Sequence, residues 1–209
     1  MRPLLPLALI LFAIGATAGS ALDAIHTHSG TTVYTSPIAW AFGMAWWTPP
    51  LFGLAGLSIG ISYPLMKHVR GLECAPVHPV RRVVIAFVTF VGLYFVSGFL
   101  PASNPVKLAV LLLGALAIGL TIARTKLAFA LAALAAVVGP VVEIVLVSQG
   151  AFLHLQPDFA GIPMWLPALY LGGGFAFAAV GNLLACRLEG PEAPRHSAQP
   201  SSSFEKIAT

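Results

Sequence analysis

The chain has 209 residues, of which 58% are apolar and only 9% charged. Soluble domains carry about 25% charged residues, so a water-soluble fold is excluded: nothing would be left to cover its surface, whereas in lipid the surface has to be apolar. The net charge of +4 does not mark a nucleic-acid partner, because the basic residues fall in short runs between apolar stretches rather than in one patch.

Six stretches have the length and hydropathy to cross about 30 Å of hydrocarbon as helix: Leu4–Leu22, Pro49–Met66, Val83–Leu100, Val106–Ala123, Leu127–Val147 and Leu166–Cys186. The apolar runs are continuous rather than alternating, which argues against strands. The predicted fold is therefore all-α, a polytopic membrane protein with six transmembrane helices. One domain spans residues 1–188. Residues 189–209, rich in Pro, Ser and Ala, form a disordered cytoplasmic tail.

In chain order, the first stretch reads two ways. Arg2, an apolar run to Ile14 and then Ala16-Thr17-Ala18 suit either a retained helix or a cleaved secretory signal. The following segment, Ser20–Thr48, has no Lys or Arg and carries Asp23, His26 and His28. Two imidazoles without a third ligand make no metal site, and no cofactor motif is present. Trp46 and Trp47 suit a membrane interface, and Pro49 and Pro50 suit the first turn of the second helix. Gly56 and Gly60 form a small-xxx-small pair, which signals close helix packing. Cys74 and Cys186 are too few for a disulfide framework. Both fall on the cytoplasmic side, where thiols stay reduced.

Span three carries an aromatic stripe, Phe87, Phe90 and Tyr94, which is either a ligand wall or ordinary packing. Span four opens with Lys107, followed by Leu111. Span five contains Gly139-Pro140, where the missing backbone N–H bends the helix, then Glu143, the one carboxylate inside a predicted span, and Val147. A charge in hydrocarbon faces a bundle interior or a wet cavity, so Glu143 is either a polar anchor for a ligand or a buried packing residue. Lys107 is its candidate partner, and Asp158 or Asp23 could equally pair with that lysine. Trp165 and Pro167 repeat on span six the helix start seen on span two.

Orientation follows from Lys and Arg. With the N-terminus inside, ten of the eleven cations lie on the cytoplasmic side and only Lys107 faces out. The chain lacks Gly-x-Ser-x-Gly, His-Glu-x-x-His and a P-loop. One intramembrane carboxylate is fewer than proton-coupled transporters show.

Two blocks carry a family resemblance. The first is Ala39-Trp40-Ala41-Phe42-Gly43-Met44-Ala45-Trp46-Trp47-Thr48-Pro49-Pro50, continuing through Gly53, Gly60 and Tyr63-Pro64. The second is Gly150, Pro157-Asp158-Phe159, Trp165-Leu166-Pro167, Gly173-Gly174 and Gly181, with Phe90-Val91-Gly92 as a shorter third match. From about Ala39 to Ala185 the chain resembles the Insig (insulin-induced gene) family. That resemblance implies six membrane helices, no catalysis, and a retained first helix. Animal Insigs sit in the endoplasmic reticulum, bind oxysterols within the membrane, and hold a sterol-sensing escort protein or present a reductase for degradation. The chain departs from them at Ala123-Arg124, where they have Asp-Arg, which argues against escort binding. It also departs at Tyr94-Phe95, where they have Asn-His, and at Ala178-Ala179, where they have Gly-Asn.

The reading that results is a non-enzymatic Insig homologue of the bacterial plasma membrane (the endoplasmic reticulum if the source is eukaryotic), with both termini cytoplasmic. It holds one sterol-like or diacylglycerol-like lipid within its bundle, against spans three, four and five. The expected lipid-binding residues are Phe87, Phe90, Tyr94, Lys107, Leu111, Pro140, Glu143 and Val147. Trp46, Trp47, Pro49, Pro50, Pro157, Asp158, Trp165 and Pro167 are expected to be structural. A homo-oligomer or a membrane-protein partner is compatible with this reading. The alternatives are a small-molecule or lipid transporter, and an intramembrane lipid-modifying enzyme that uses Glu143.

Overall fold

A computed structural model describes residues 4–35, 43–71, 78–123 and 125–189. It contains six helices long and apolar enough to cross a membrane: Leu4–His28, Thr48–Val69, Val80–Phe99, Asn104–Ile122, Lys126–Ser148 and Leu166–Glu189. They correspond one to one with the six predicted spans and are numbered first to sixth. The predicted tail lies outside the described residues except for Glu189, which ends the sixth helix. Arg124 and Cys74 also lie outside them. Cys186, expected as a reduced thiol, is instead disulfide-bonded.

The first helix runs six residues beyond its predicted end, so Asp23 and His26 belong to a span rather than to a loop. Midway it relaxes into a π-helical stretch, Gly15–Gly19, a local widening often found at functional sites. That stretch packs on Phe52 and Gly56 of the second helix. Leu7 and Leu11, farther toward the N-terminus, are buried with Ala185 of the sixth helix.

The sixth helix is the hub. It is the most buried of the six, contacts each of the first five helices, and carries fourteen buried residues on several faces. Small residues let its neighbours come close. A Cβ on Gly181 would lie 1.7 Å from the carbonyl oxygen of Gly60, and one on Gly174 would lie 2.8 Å from the backbone of Ala132. Between lipid-soluble helices apolar burial gains little, so such close backbone packing supplies the association.

Two three-residue strands, which the continuous apolar runs did not suggest, close one end of the bundle. β1 (Thr32–Tyr34) pairs antiparallel with β2 (Phe152–His154), with Thr32 opposite His154 and Tyr34 opposite Phe152. Alternate residues of a strand share a face. Thr32, Tyr34, Phe152 and His154 are accordingly buried toward the helices, and Val33 and Leu153 are exposed. Prolines open helices as expected: Pro49 and Pro50 lie in the first turn of the second helix and Pro167 in the first turn of the sixth.

Gly181→Ala should lower stability by about 1–3 kcal/mol, the usual cost of overpacking, read as a fall in unfolding temperature in detergent. Gly92→Ala, whose added methyl meets open space, should leave that temperature unchanged. Equal values for the two variants would contradict the Gly60–Gly181 packing.

Candidate functional site

The second and fifth helices both pack on the sixth but barely touch each other. Between them lies a cavity of about 280 Å³. Much of its wall is apolar: Leu51, Leu54, Ala55 and Ile59 from the second helix, Ala135, Val138 and Val142 from the fifth, and Leu166 from the sixth. Leu54, Val138 and Val142 are also exposed on the outside of the bundle, so the cavity opens sideways, toward where acyl chains would lie.

Polar side chains gather at the strand end of the cavity. Glu143 Oε1 accepts a hydrogen bond from the Tyr170 hydroxyl at 2.7 Å. Glu143 Oε2 pairs with His154 Nε2 at 2.9 Å. The other imidazole nitrogen, Nδ1, faces Thr32 Oγ1 at 3.4 Å. The local geometry follows from the sequence: β2 turns His154 inward, and Gly139, one turn before Glu143, leaves room for the Tyr170 ring. A Cβ at Gly139 would come within 2.2 Å of that ring.

A second carboxylate stands on the first helix. Asp23 Oδ2 accepts from the Tyr34 hydroxyl at 2.6 Å. Burial, with Asp23 beside it, pushes the Tyr34 phenol above its usual range, which keeps it the donor. Three residues on, and thus on the same helical face, His26 is buried and stacks on Tyr94 with ring centroids 4.8 Å apart. His26 Nε2 lies 2.8 Å from Ser97 Oγ. The Ser97 hydroxyl gives its one proton to the Tyr94 carbonyl, so the bond from His26 requires the proton on Nε2.

Of the residues expected to bind lipid, the structure brings Tyr94 and Glu143 to this cavity. Phe90 lines a smaller void of about 50 Å³ that shares Phe52, Ile59, Tyr94 and Tyr170 with it. Phe87 packs on the core against Phe90 and Phe177, and Leu111 is fully buried in that core. Pro140 is buried within the fifth helix, and Val147 packs near Tyr34 and Phe152. Lys107 is not the partner of Glu143; its ammonium turns to the Ser97 carbonyl at 2.8 Å. Asp158 does not pair with Lys107 either, since it accepts from Asn104 Nδ2 at 2.8 Å and from the Met164 amide at 2.7 Å.

Of the residues read as structural, Trp46 is exposed while Trp47 lines the cavity and meets Tyr34 edge-on. Trp165 is fully buried, its indole N–H bonded to Asn104 Oδ1 at 3.0 Å; Pro157 is exposed. Seven polar residues of the cavity wall were not among the expected site residues: Asp23, His26, Thr32, Tyr34, Ser58, His154 and Tyr170. The one available signal was the Asp23 and His26 spacing of three, directly after an apolar helix.

The chain and its bundle have counterparts among known proteins. The chain is 31% identical over 191 residues to insulin-induced gene 1 protein of Xenopus tropicalis, covering 88% of this chain and 74% of the relative. It is 31% identical over 198 residues to the Homo sapiens protein of the same name, covering 91% and 69%. The chain belongs to the Insig family. Among solved structures, this Insig chain superposes on the mycobacterial Insig homolog MvINS from Mycobacterium vanbaalenii with a TM-score of 0.77 at 26% identity, covering 87% of this chain and 95% of that one. A cross-linked MvINS trimer matches with a TM-score of 0.76. No family model matches the chain. Six spans and this membership make it an integral, multi-pass membrane protein.

Tyr170→Phe should cost about 1 kcal/mol, the usual net worth of one hydrogen bond, seen in unfolding in detergent. Gly139→Ala should cost at least as much, although it keeps the phenol, because the new methyl displaces the ring. Unchanged stability in both would mean that the Tyr170–Glu143 bond does not form.

Proposed function

We propose that this Insig-family protein binds one neutral amphiphilic lipid in the cavity between the second and fifth helices, and acts as a lipid sensor rather than as an enzyme. Family membership supports a membrane sterol-sensing or lipid-binding regulator. The observation that carries the finer reading is the polarity of the cavity: apolar walls open to the bilayer, and two carboxylates, Asp23 and Glu143, at its strand end.

That polar end selects by charge. Carboxylate oxygens only accept hydrogen bonds, and each retains capacity beyond the bonds from Tyr34, Tyr170 and His154. A hydroxyl on the guest supplies a donor and is welcome. A phosphate brings like charge to the Glu143 carboxylate and is repelled. The ligand class is therefore a lipid with a free hydroxyl and no phosphate, which describes a sterol or a diacylglycerol. The cavity lies near the lower limit of ligand pockets, about 300–1,000 Å³, and its open side lets the rest of the guest remain among acyl chains. Rings or chains gain little on leaving lipid for an apolar wall, so selectivity falls to the carboxylates and to shape.

The remaining assignments belong to the same reading. The strand end faces away from the cytoplasm, because Lys67, Arg70, Arg81, Arg82, Lys126 and Arg187 all lie at or near helix ends opposite it. The termini then lie in the cytoplasm, and the membrane is a bacterial plasma membrane. The trimeric form of MvINS supports a homo-oligomer, and a change in packing on lipid binding would pass the lipid level to a neighbour only through differential affinity for two states.

Native mass spectrometry of the purified protein should show one neutral hydroxyl-bearing lipid per chain. Glu143→Gln should weaken its rebinding about tenfold, the scale of one hydrogen bond to a charged group. Recovery of bulk phospholipid alone would refute the assignment. Chemical conversion of the lipid by the wild type that stops in Glu143→Gln would replace the sensor with an intramembrane enzyme.

A further inference from the structure

Behind the strand pair, at the same end of the bundle, lies a second cavity of about 80 Å³. Its dominant charge is Lys107, which is 7% exposed. An ammonium has three protons to give, and the acceptor that meets this one is the Ser97 carbonyl at 2.8 Å. Among the described residues, no carboxylate stands within ion-pair distance of Lys107. Asp158, on the neighbouring loop, is committed to Asn104 and the Met164 amide.

A buried charge without a counter-charge is costly. The local backbone deepens the imbalance. Lys107 lies in the first turn of the fourth helix, which begins at Asn104, and the start of a helix is its positive end. Cations are favoured at the other end, so at this place the helix dipole opposes the ammonium instead of offsetting it. Around the void stand the hydroxyls of Ser29 and Thr31: Ser29 gives its proton to the His26 carbonyl at 3.2 Å, so in the 2.8 Å bond between the two hydroxyls Thr31 is the donor, and its proton is the one that can turn to a guest. The volume suits two or three waters at about 30 Å³ each, or a single small anion.

We infer that this pocket binds a small oxyanion, a phosphate, sulfate or carboxylate group, with Lys107 as its charge partner. It is separate from the lipid cavity, and the two share His154 as a common wall. The inference does not rest on the lipid assignment, because that assignment stands on Asp23 and Glu143, and neither lines this pocket.

The test is equilibrium dialysis of radiolabelled inorganic phosphate against the full chain in an uncharged detergent, with ionic strength held constant by chloride. Saturable binding near one ion per chain is expected. Lys107→Met should weaken it roughly tenfold or more, the scale of a charged hydrogen bond. Lys126→Met, which removes an exposed cation at the far end of the bundle, should leave it unchanged. Thr31→Val, a near-isosteric change at the pocket, should weaken binding several-fold and serves if the Lys107 variant does not fold. Displacement of the label by micellar phosphatidic acid would assign the pocket to a lipid headgroup, and retention of the label would assign it to a free ion; either supports an oxyanion site. Absence of saturable binding to the wild type, or equal binding by the Lys107, Thr31 and Lys126 variants, would overturn it.

Discussion

A carboxylate held in hydrocarbon has to be met by donors, and the donors for Glu143 come from two places distant in sequence. Tyr170 reaches it from the sixth helix and His154 from the second strand. That clamp fixes the strand end of the fifth helix against both, while small residues hold the same helix against the sixth. Because the second helix is bound to the sixth on another side, the second and fifth helices are kept apart. The cavity is what remains between two rods tied to a common third and only sparsely to each other.

The same constraint gives the cavity its polarity. Irregular backbone at the edge of a membrane is tolerated where its polar groups are paired. The β1–β2 pair meets that need and, through strand alternation, turns Tyr34 and His154 inward over the site. Tyr34 answers Asp23 as His154 answers Glu143. Each carboxylate is therefore met by a tyrosine hydroxyl, and Glu143 by the His154 imidazole as well, and keeps acceptor capacity toward the cavity. A neutral hydroxyl completes such an arrangement and a phosphate does not.

Much of this was legible in the sequence. The six spans follow from length and hydropathy alone, and Glu143 stood out because a carboxylate in a helix as apolar as Leu127–Val147 demands a reason. Its partners were not legible. Lys107 is near it in depth but lies on a helix turned toward Ser97, and helix rotation is set by packing that the hydropathy of span four does not encode. His154 sits on a three-residue strand, Phe152–His154, too short for alternation to show. Asp23 and His26 looked like loop residues because they end the apolar run; the helix continues through them since their partners, Tyr34 and Ser97, wait inside the bundle. The aromatic stripe of span three was visible, but only Tyr94 of its three members reaches the main cavity, with Phe90 in the void beside it.

The most direct measurement is site-resolved photo-cross-linking with a diazirine-bearing diacylglycerol in membranes that contain the protein. Labels should concentrate on Leu54 and Val138 and be displaced by excess unlabelled lipid, while Leu113 and Leu120, exposed on the fourth helix away from the cavity, take only weak, non-displaceable label. Equal and non-displaceable labelling of both groups would contradict a laterally open lipid site between the second and fifth helices.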